Sequence, residues 1–226
     1  EYQWQQITKE YRFPTVFYTY TGTLTGSTIL GLSSTTGLTS TPTYFNVTGS
    51  GLQTDTYLAT VSGSGATITL PVTASGSGVS ITFSQTIYAN PSDFDRLIDK
   101  TDWDKSKHWE MLGPETAQQW QWLKSGFIST GPRIRYRMLG GFFQIWPPSG
   151  IADYLGFEYV SKNWALSTSA TVTPDKASLT VDTDTCVFQD RLMVAGLKHK
   201  YFQVKGFGDV YLDDWTRQLS IAKAND

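Results

Sequence analysis

The stretch Tyr88-Ala89-Asn90-Pro91-Ser92-Asp93-Phe94-Asp95-Arg96-Leu97 separates two kinds of sequence. Before it runs a long tract of Thr, Ser and Gly in which Asp55 is the only charged residue between Arg12 and Asp93. After it come Trp-rich, charged segments with both helical and strand periodicity. Pro91 fixes its own φ and drives Asn90 into an extended conformation. Asp93 then stands as a capping carboxylate for a short turn through Phe94 and Leu97. The stretch is expected to be a strand running into a turn, at a seam in the chain.

Working outward, the Thr/Ser/Gly tract over 21–85 contains short β-prone runs: Thr28–Leu30, Tyr44–Val47, Tyr57–Val61, Thr67–Leu70 and Val79–Phe83. Gly/Ser turns bound them, and Ile68/Leu70 and Val79/Ile81/Phe83 alternate as a half-buried face requires. A flexible linker needs no such face, so a small antiparallel sandwich or barrel is expected. Asn46-Val47-Thr48 matches a glycosylation sequon, a motif common by chance. Upstream, the spacing of Tyr2, Trp4 and Ile7 suits the end of a helix, and Tyr11, Phe13 and the residues after Pro14 suit a strand.

Beyond the seam, Asp102-Trp103-Asp104 through Leu112 reads as loop. Gly113-Pro114-Glu115 opens a helix, with Pro114 at its first position, that runs to Lys124, stops at Gly126 and buries Trp120 and Leu123. Arg133–Met138 alternates as a strand, Gly140-Gly141 turns it into Phe142–Trp146, and Tyr154–Val160 continues as a third strand of a meander. Two helices close the chain. Met193, Leu197, Tyr201 and Val204 share a face of the first; Tyr211, Trp215, Leu219 and Ala222 share a face of the second. Asp209, Asp213 and Asp214 suit the second helix's N-terminus and Lys223 its end, and the short joint Gly206-Phe207-Gly208 predicts an antiparallel hairpin. The fold class expected is α+β.

Composition narrows the function. A formal charge of −2 lacks the footprint of a dedicated nucleic-acid binder. One cysteine, Cys186, excludes an internal disulfide framework or a cysteine metal cluster. No apolar run is long enough to span a bilayer, and no signal peptide is expected. His108 and His199 lack partners at metal-ligand spacing, so no metal or other cofactor is expected. No nucleophile-elbow, Walker or dinucleotide pattern is present. The pairs Asp93/Asp95, Asp102/Asp104 and Asp182/Asp184 could serve a glycosidase or hold calcium, but Asp is more often a cap or turn residue. Eight tryptophans lean toward a protein that binds or assembles. Arg133, Arg135 and Arg137 on one strand face could grip phosphates or a partner's carboxylates, because three like charges so placed repel unless neutralised.

Several segments together carry a resemblance. Tyr88-x-x-Pro91-x-Asp93-Phe94-Asp95-Arg96 is similar to the Y-x-L-P-x-D-F-x-R segment of the head-to-tail adaptor proteins of short-tailed bacteriophages, the tail tubular protein A family. Trp103-Asp104, Leu112-Gly113-Pro114, Trp120–Lys124, Thr130–Arg133, Phe157–Trp164, Asp182–Thr185 and Glu1–Trp4 follow the same pattern in order; Asn90 departs from it, standing where the pattern has Leu. Residues 21–85 lie outside it and resemble a β-module recurrent in phage structural proteins, here inserted.

The resemblance implies a discontinuous adaptor core, 1–20 and 86–226, around an inserted β-domain, 21–85. It implies a virion protein at the head–tail junction, made in the host cytoplasm, without catalysis. The protein would form a ring, typically dodecameric, between the portal protein and the tail nozzle or tail tube, with tail fibre or capsid proteins as further contacts. Genomic DNA would pass through the lumen without sequence-specific binding. Candidate interface residues are Arg133, Arg135, Arg137, Tyr211, Trp215 and Leu219. The alternative is a carbohydrate- or receptor-binding β-protein of a phage tail, using exposed residues such as Trp103 and Trp146. If the insertion reading holds, the ends of the module lie together, with Phe17–Tyr20 beside Thr86–Asn90.

Overall fold

The structure, a computed structural model, describes residues 2–39, 44–126, 131–170, 173–207 and 210–226. Glu1, Thr130, Gly208 and Asp209, to which the sequence reading gave roles, lie outside the described residues. After a short 3-10 turn over Gln5–Ile7, the strands of the N-terminal half are β1 (Thr8–Pro14), β2 (Phe17–Thr25), β3 (Thr28–Leu30), β4 (Phe45–Gly49) and β5 (Leu58–Ser62). They continue with β6 (Gly65–Ile68), β7 (Gly76–Gln85), β8 (Ile87–Ala89) and β9 (Phe94–Leu97). Next come β10 (Trp103–Asp104), β11 (Trp109–Glu110), helix α1 (Ala117–Lys124), β12 (Arg135–Leu139) and β13 (Phe142–Trp146). The chain closes with β14 (Tyr154–Ser161), β15 (Ala165–Leu166), β16 (Thr185–Cys186), α2 (Asp190–Val204) and α3 (Leu212–Asn225). The class is α+β, with antiparallel sheets and a C-terminal helix pair. Two compact units emerge: Glu1–Tyr11, Pro91–Ile98 and Glu158–Asp226 form one, Arg12–Asn90 and Asp99–Phe157 the other. The chain crosses between them inside the quoted seam, at Asn90–Pro91.

In the second of these, six strands order as β4-β7-β2-β3-β6-β5. A bridge between Asn46 and Tyr57, with the Val47 amide donating to the Thr56 carbonyl at 2.7 Å, brings β5 against β4 and curls the sheet into a barrel. Its interior is Leu24, Ile29, Phe45, Val47, Leu58, Ile68, Ile81 and Phe83, all buried. The β-prone runs read from the sequence are strands, within three residues at their ends: β7 takes in Gly76-Ser77-Gly78, expected as a turn, and β6 starts at Gly65 and stops at Ile68, before Leu70. The start of the module differs. Strand β2 runs unbroken through Thr21, and Phe17–Tyr20 pairs with Ser84–Ile81 instead of Thr86–Asn90. Gly22 and Gly26 made that stretch look like turn, but Thr19, Thr21, Thr23 and Thr25 alternate with Tyr18, Tyr20 and Leu24 as a strand does.

The far end of the module, Gln85, meets the chain at Val16, ahead of Thr21. The Gln85 amide donates to the Val16 carbonyl at 2.8 Å, while the Tyr88 hydroxyl accepts from the Val16 amide and donates to the Gln85 carbonyl. Burial, above all, pushes the Tyr88 phenol up to about 12, so it stays a donor at any working pH. Asp55, the module's lone charge, pairs with Lys124 at 2.8 Å, and the ammonium lies over the Tyr57 and Trp146 rings at 5.0 and 5.9 Å.

Below this neck, β8, β13 and β12 form a three-stranded sheet with the expected hairpin at Gly140-Gly141, where both residues have positive φ. The third strand of the expected meander is elsewhere: β13's other neighbour is β8, and β14 pairs with β10 in this unit and with β9 in the other. Tyr154–Ser161 buries residues on both faces, so its near-continuous apolar run suits an interior strand and not a hairpin edge. Phe13, Tyr88, Tyr136, Phe143 and Phe157 stack as an aromatic core at centroid distances of 4.7 to 6.4 Å. The loop expected around Trp103 and Trp109 is the short hairpin β10–β11. Helix α1 begins later than expected, capped by Thr116 in a reciprocal arrangement with Gln119. Pro114 and Glu115 precede it, because Glu115 is drawn to Arg135 at 2.6 Å.

Candidate assembly surface

The seam's second half is structural. Asp93 does not cap a turn: Phe94–Leu97 is a strand, and the Asp93 carboxylate accepts from Lys9 Nζ (2.7 Å), the Ser161 hydroxyl (2.7 Å) and the Tyr159 hydroxyl (2.9 Å). Burial pushes its pKa up, but those three donors outweigh that and bring it down to about 2. Asn90, which departs from the adaptor pattern, leaves its amide oxygen buried without a partner.

The other acidic pairs are no more available for chemistry. Asp104 and Asp153, both buried, share the Lys107 ammonium at 3.3 and 2.8 Å. Asp184 binds Lys176, the Thr180 hydroxyl and the amides of Thr180 and Val181, with Lys176 the first cause holding its carboxyl far below the usual range. Asp102 is buried, and neither oxygen completes a hydrogen bond of good geometry. Burial raises it to about 6, with the Tyr136 hydroxyl opposing and Asp99 and Glu110 adding to the rise. Among the described residues, no group of His, Cys, Asp and Glu has the arrangement of a metal site. Nor is any described helix long and apolar enough to cross a membrane.

The six candidate interface residues fall into two groups, each in its own unit. Arg133 precedes β12 and is exposed, Arg135 is held by Glu115, and Arg137 is half-buried opposite Gln144, so the three do not form one strand-borne stripe. Tyr211, Trp215 and Leu219 are half-buried inside the helical hairpin. Tyr211 packs on Phe202 at 4.7 Å, and the Trp215 ring lies so close to Gly196 that a Cβ there would meet it at 2.8 Å. Tyr211 and Trp215 hold α2 against α3. Trp146, proposed for glycan contact, is 4% exposed and belongs to the core with Trp120 and Leu123; Trp103 remains exposed.

The available surface lies on a helical face read from the sequence. Of Met193, Leu197, Tyr201 and Val204, which share that face of α2, the last three are exposed, with Val194, Phe207 and Val210. The buried positions are Leu192 and Ala195. Both sets have helical spacing; Ala195 and Gly196, small enough to admit the Trp215 ring, were the signal for which phase faces α3. No family model, no curated protein and no solved structure matches the chain.

Proposed function

We propose that this chain is a structural virion protein that assembles as a ring between the portal and the tail nozzle and continues the DNA channel. The observation that carries the reading is the uncovered apolar surface of the hairpin. Val194, Leu197, Tyr201, Val204, Phe207 and Val210 between them expose apolar surface on the order of several hundred Å², the scale of the largest patch on a typical monomer, ~300–600 Å². That is also about what one side of a standard interface buries. A protein committed to assembly has reason to keep such a surface; a free enzyme does not. The motif order of the adaptor family supports the same reading, and a formal charge of −2 suits a lumen through which DNA slides without being gripped.

The test is assembly itself. Mixed with the portal protein of the same phage, the chain is expected to give ring-shaped density on the portal by electron microscopy, with a matching rise in mass. A chain that stays monomeric with the portal present at high concentration refutes the proposal. A monomer on its own does not count against it, because assembly on a template needs no stable free ring.

A further inference from the structure

Helix α2 is apolar on two opposite faces. At about 100° per residue, Leu192, Ala195 and Phe202 form the inward stripe, interrupted by His199, and Leu192 and Ala195 are buried. Val194, Leu197, Tyr201 and Val204 recur three, four and three residues apart on the far side, and are 48%, 66%, 60% and 83% exposed. Single exposed apolar residues are ordinary. A full stripe at the spacing of a helix-pairing seam is not. A helix apolar on both faces expects cover on both.

Charge says what covers it. Arg191, Lys198 and Lys205 are seven residues apart and line one flank of the outer stripe, and Lys200 borders the other. The helix's one acid is Asp190 at its first position. Asp214 offsets part of the Lys198 charge and, with Asp190, borders the same groove as Arg191; among the described residues no carboxylate pairs with Lys205, whose ammonium lies over the Tyr201 ring at 5.8 Å. A second α2 would bring basic flanks against basic flanks, at a cost. The outward side of α3 carries Asp213, Arg217 and Ser220 with a lone Ile221, so another copy offers no matching stripe there. Beside Leu197, a groove of about 490 Å³ bordered by Gly196 and Trp215 leaves space for an inserted side chain.

We propose that the outer face of α2 is a docking seam for an amphipathic helix of a partner protein, with apolar residues at heptad spacing and Asp or Glu on its flanks. The inference rests on the assembly reading only for the premise that the face is covered; the chemistry of the cover comes from the flank charges.

The experiment uses two labelled synthetic helical peptides of about three heptads with the same Leu/Ile seam, one flanked by Glu and one by Lys, titrated against the full chain by fluorescence anisotropy. The Glu-flanked peptide is expected to bind about tenfold tighter at low salt, and the preference to collapse near 1 M salt, where the screening length is ~3 Å. Leu197→Glu with Val204→Glu removes binding while circular dichroism and thermal midpoint hold, since both side chains stand in water. Lys198→Glu with Lys205→Glu reverses the preference. Equal binding of the two peptides, no binding of the Glu-flanked one, or self-association abolished by Leu197→Glu would each overturn the proposal. Rings on the portal without peptide discrimination sink the docking chemistry alone; discrimination without rings sinks the ring reading alone.

Discussion

Asp102 gives the sharpest prediction. Its side chain is buried beside Tyr136, its oxygens lack well-formed hydrogen bonds, and Asp99 and Glu110 add negative potential. Burial is the main cause of a rise from 3.8 to about 6. Between those values the folded chain holds a proton that the unfolded chain releases. Stability from this group is therefore fully present below about pH 4 and is lost as pH rises through 6. Two pKa units at 1.36 kcal/mol each make the loss roughly 3 kcal/mol. Asp93 works in the opposite direction, but its lowered pKa confines its effect to more acid conditions, where stability falls as pH drops from about 4 through 2. The window from pH 4.5 to 8 thus isolates Asp102. Asp102→Asn keeps the shape and cannot ionise. Urea titrations across the window should show the parent losing about 2–3 kcal/mol that the variant keeps, with the variant the more stable above pH 7. Parallel pH profiles for the two proteins would refute the reasoning.

Two further perturbations test the frame. Asp93→Ala removes the counter-charge of the Lys9 ammonium, leaving it only the Pro174 carbonyl, and leaves the Tyr159 and Ser161 hydroxyls without their acceptor; a loss of about 3 kcal/mol is expected in denaturant titration, and a loss within 0.5 kcal/mol (about the noise of an ordinary surface change) would remove Asp93 from the centre of its unit. Gly196→Val drives a side chain into the Trp215 ring, which a Cβ alone would meet at 2.8 Å, so the hairpin should loosen by about 1–3 kcal/mol with a red shift in tryptophan emission; unchanged emission would mean that α2 and α3 are not held by that contact.

Much of the module was legible because its strands carried their own alternation, as Val79–Phe83 shows; the Gly/Ser punctuation was less exact, since Gly65 and Gly76–Gly78 belong to strands. The hairpin at Gly140-Gly141 was legible for the same reason: two consecutive residues at positive φ require what only glycine supplies cheaply. What failed was pairing between distant segments. Nothing local to Tyr154–Ser161 says that its neighbours are Trp103-Asp104 on one stretch and Phe94–Leu97 on another. Asp93 failed for a related reason. A carboxylate before a short apolar run looks like a cap, and its true partners, Lys9, Tyr159 and Ser161, lie 84, 66 and 68 residues away. The arginines read as a stripe because alternation places side chains on a face, but only a strand keeps them there, and the strand begins at Arg135.

The choice of phase in α2 bears on function. Periodicity gives the phase of an apolar stripe, and in this helix two phases coexist about half a turn apart: Leu192 and Ala195 on one, Val194, Leu197, Tyr201 and Val204 on the other. Side-chain size favours the second as a core, since it offers far more apolar area. The structure buries the first, because close approach of the Trp215 ring needs small residues, and Ala195-Gly196 supplies them. The larger stripe is thus left over after the hairpin has formed. In a chain with no partner, such a stripe would bring only aggregation, which a single charged residue at position 197 would relieve at no cost to α2–α3 packing. On the proposed docking, Leu at that position, flanked by lysines and facing water, is a surface residue whose packing another molecule completes.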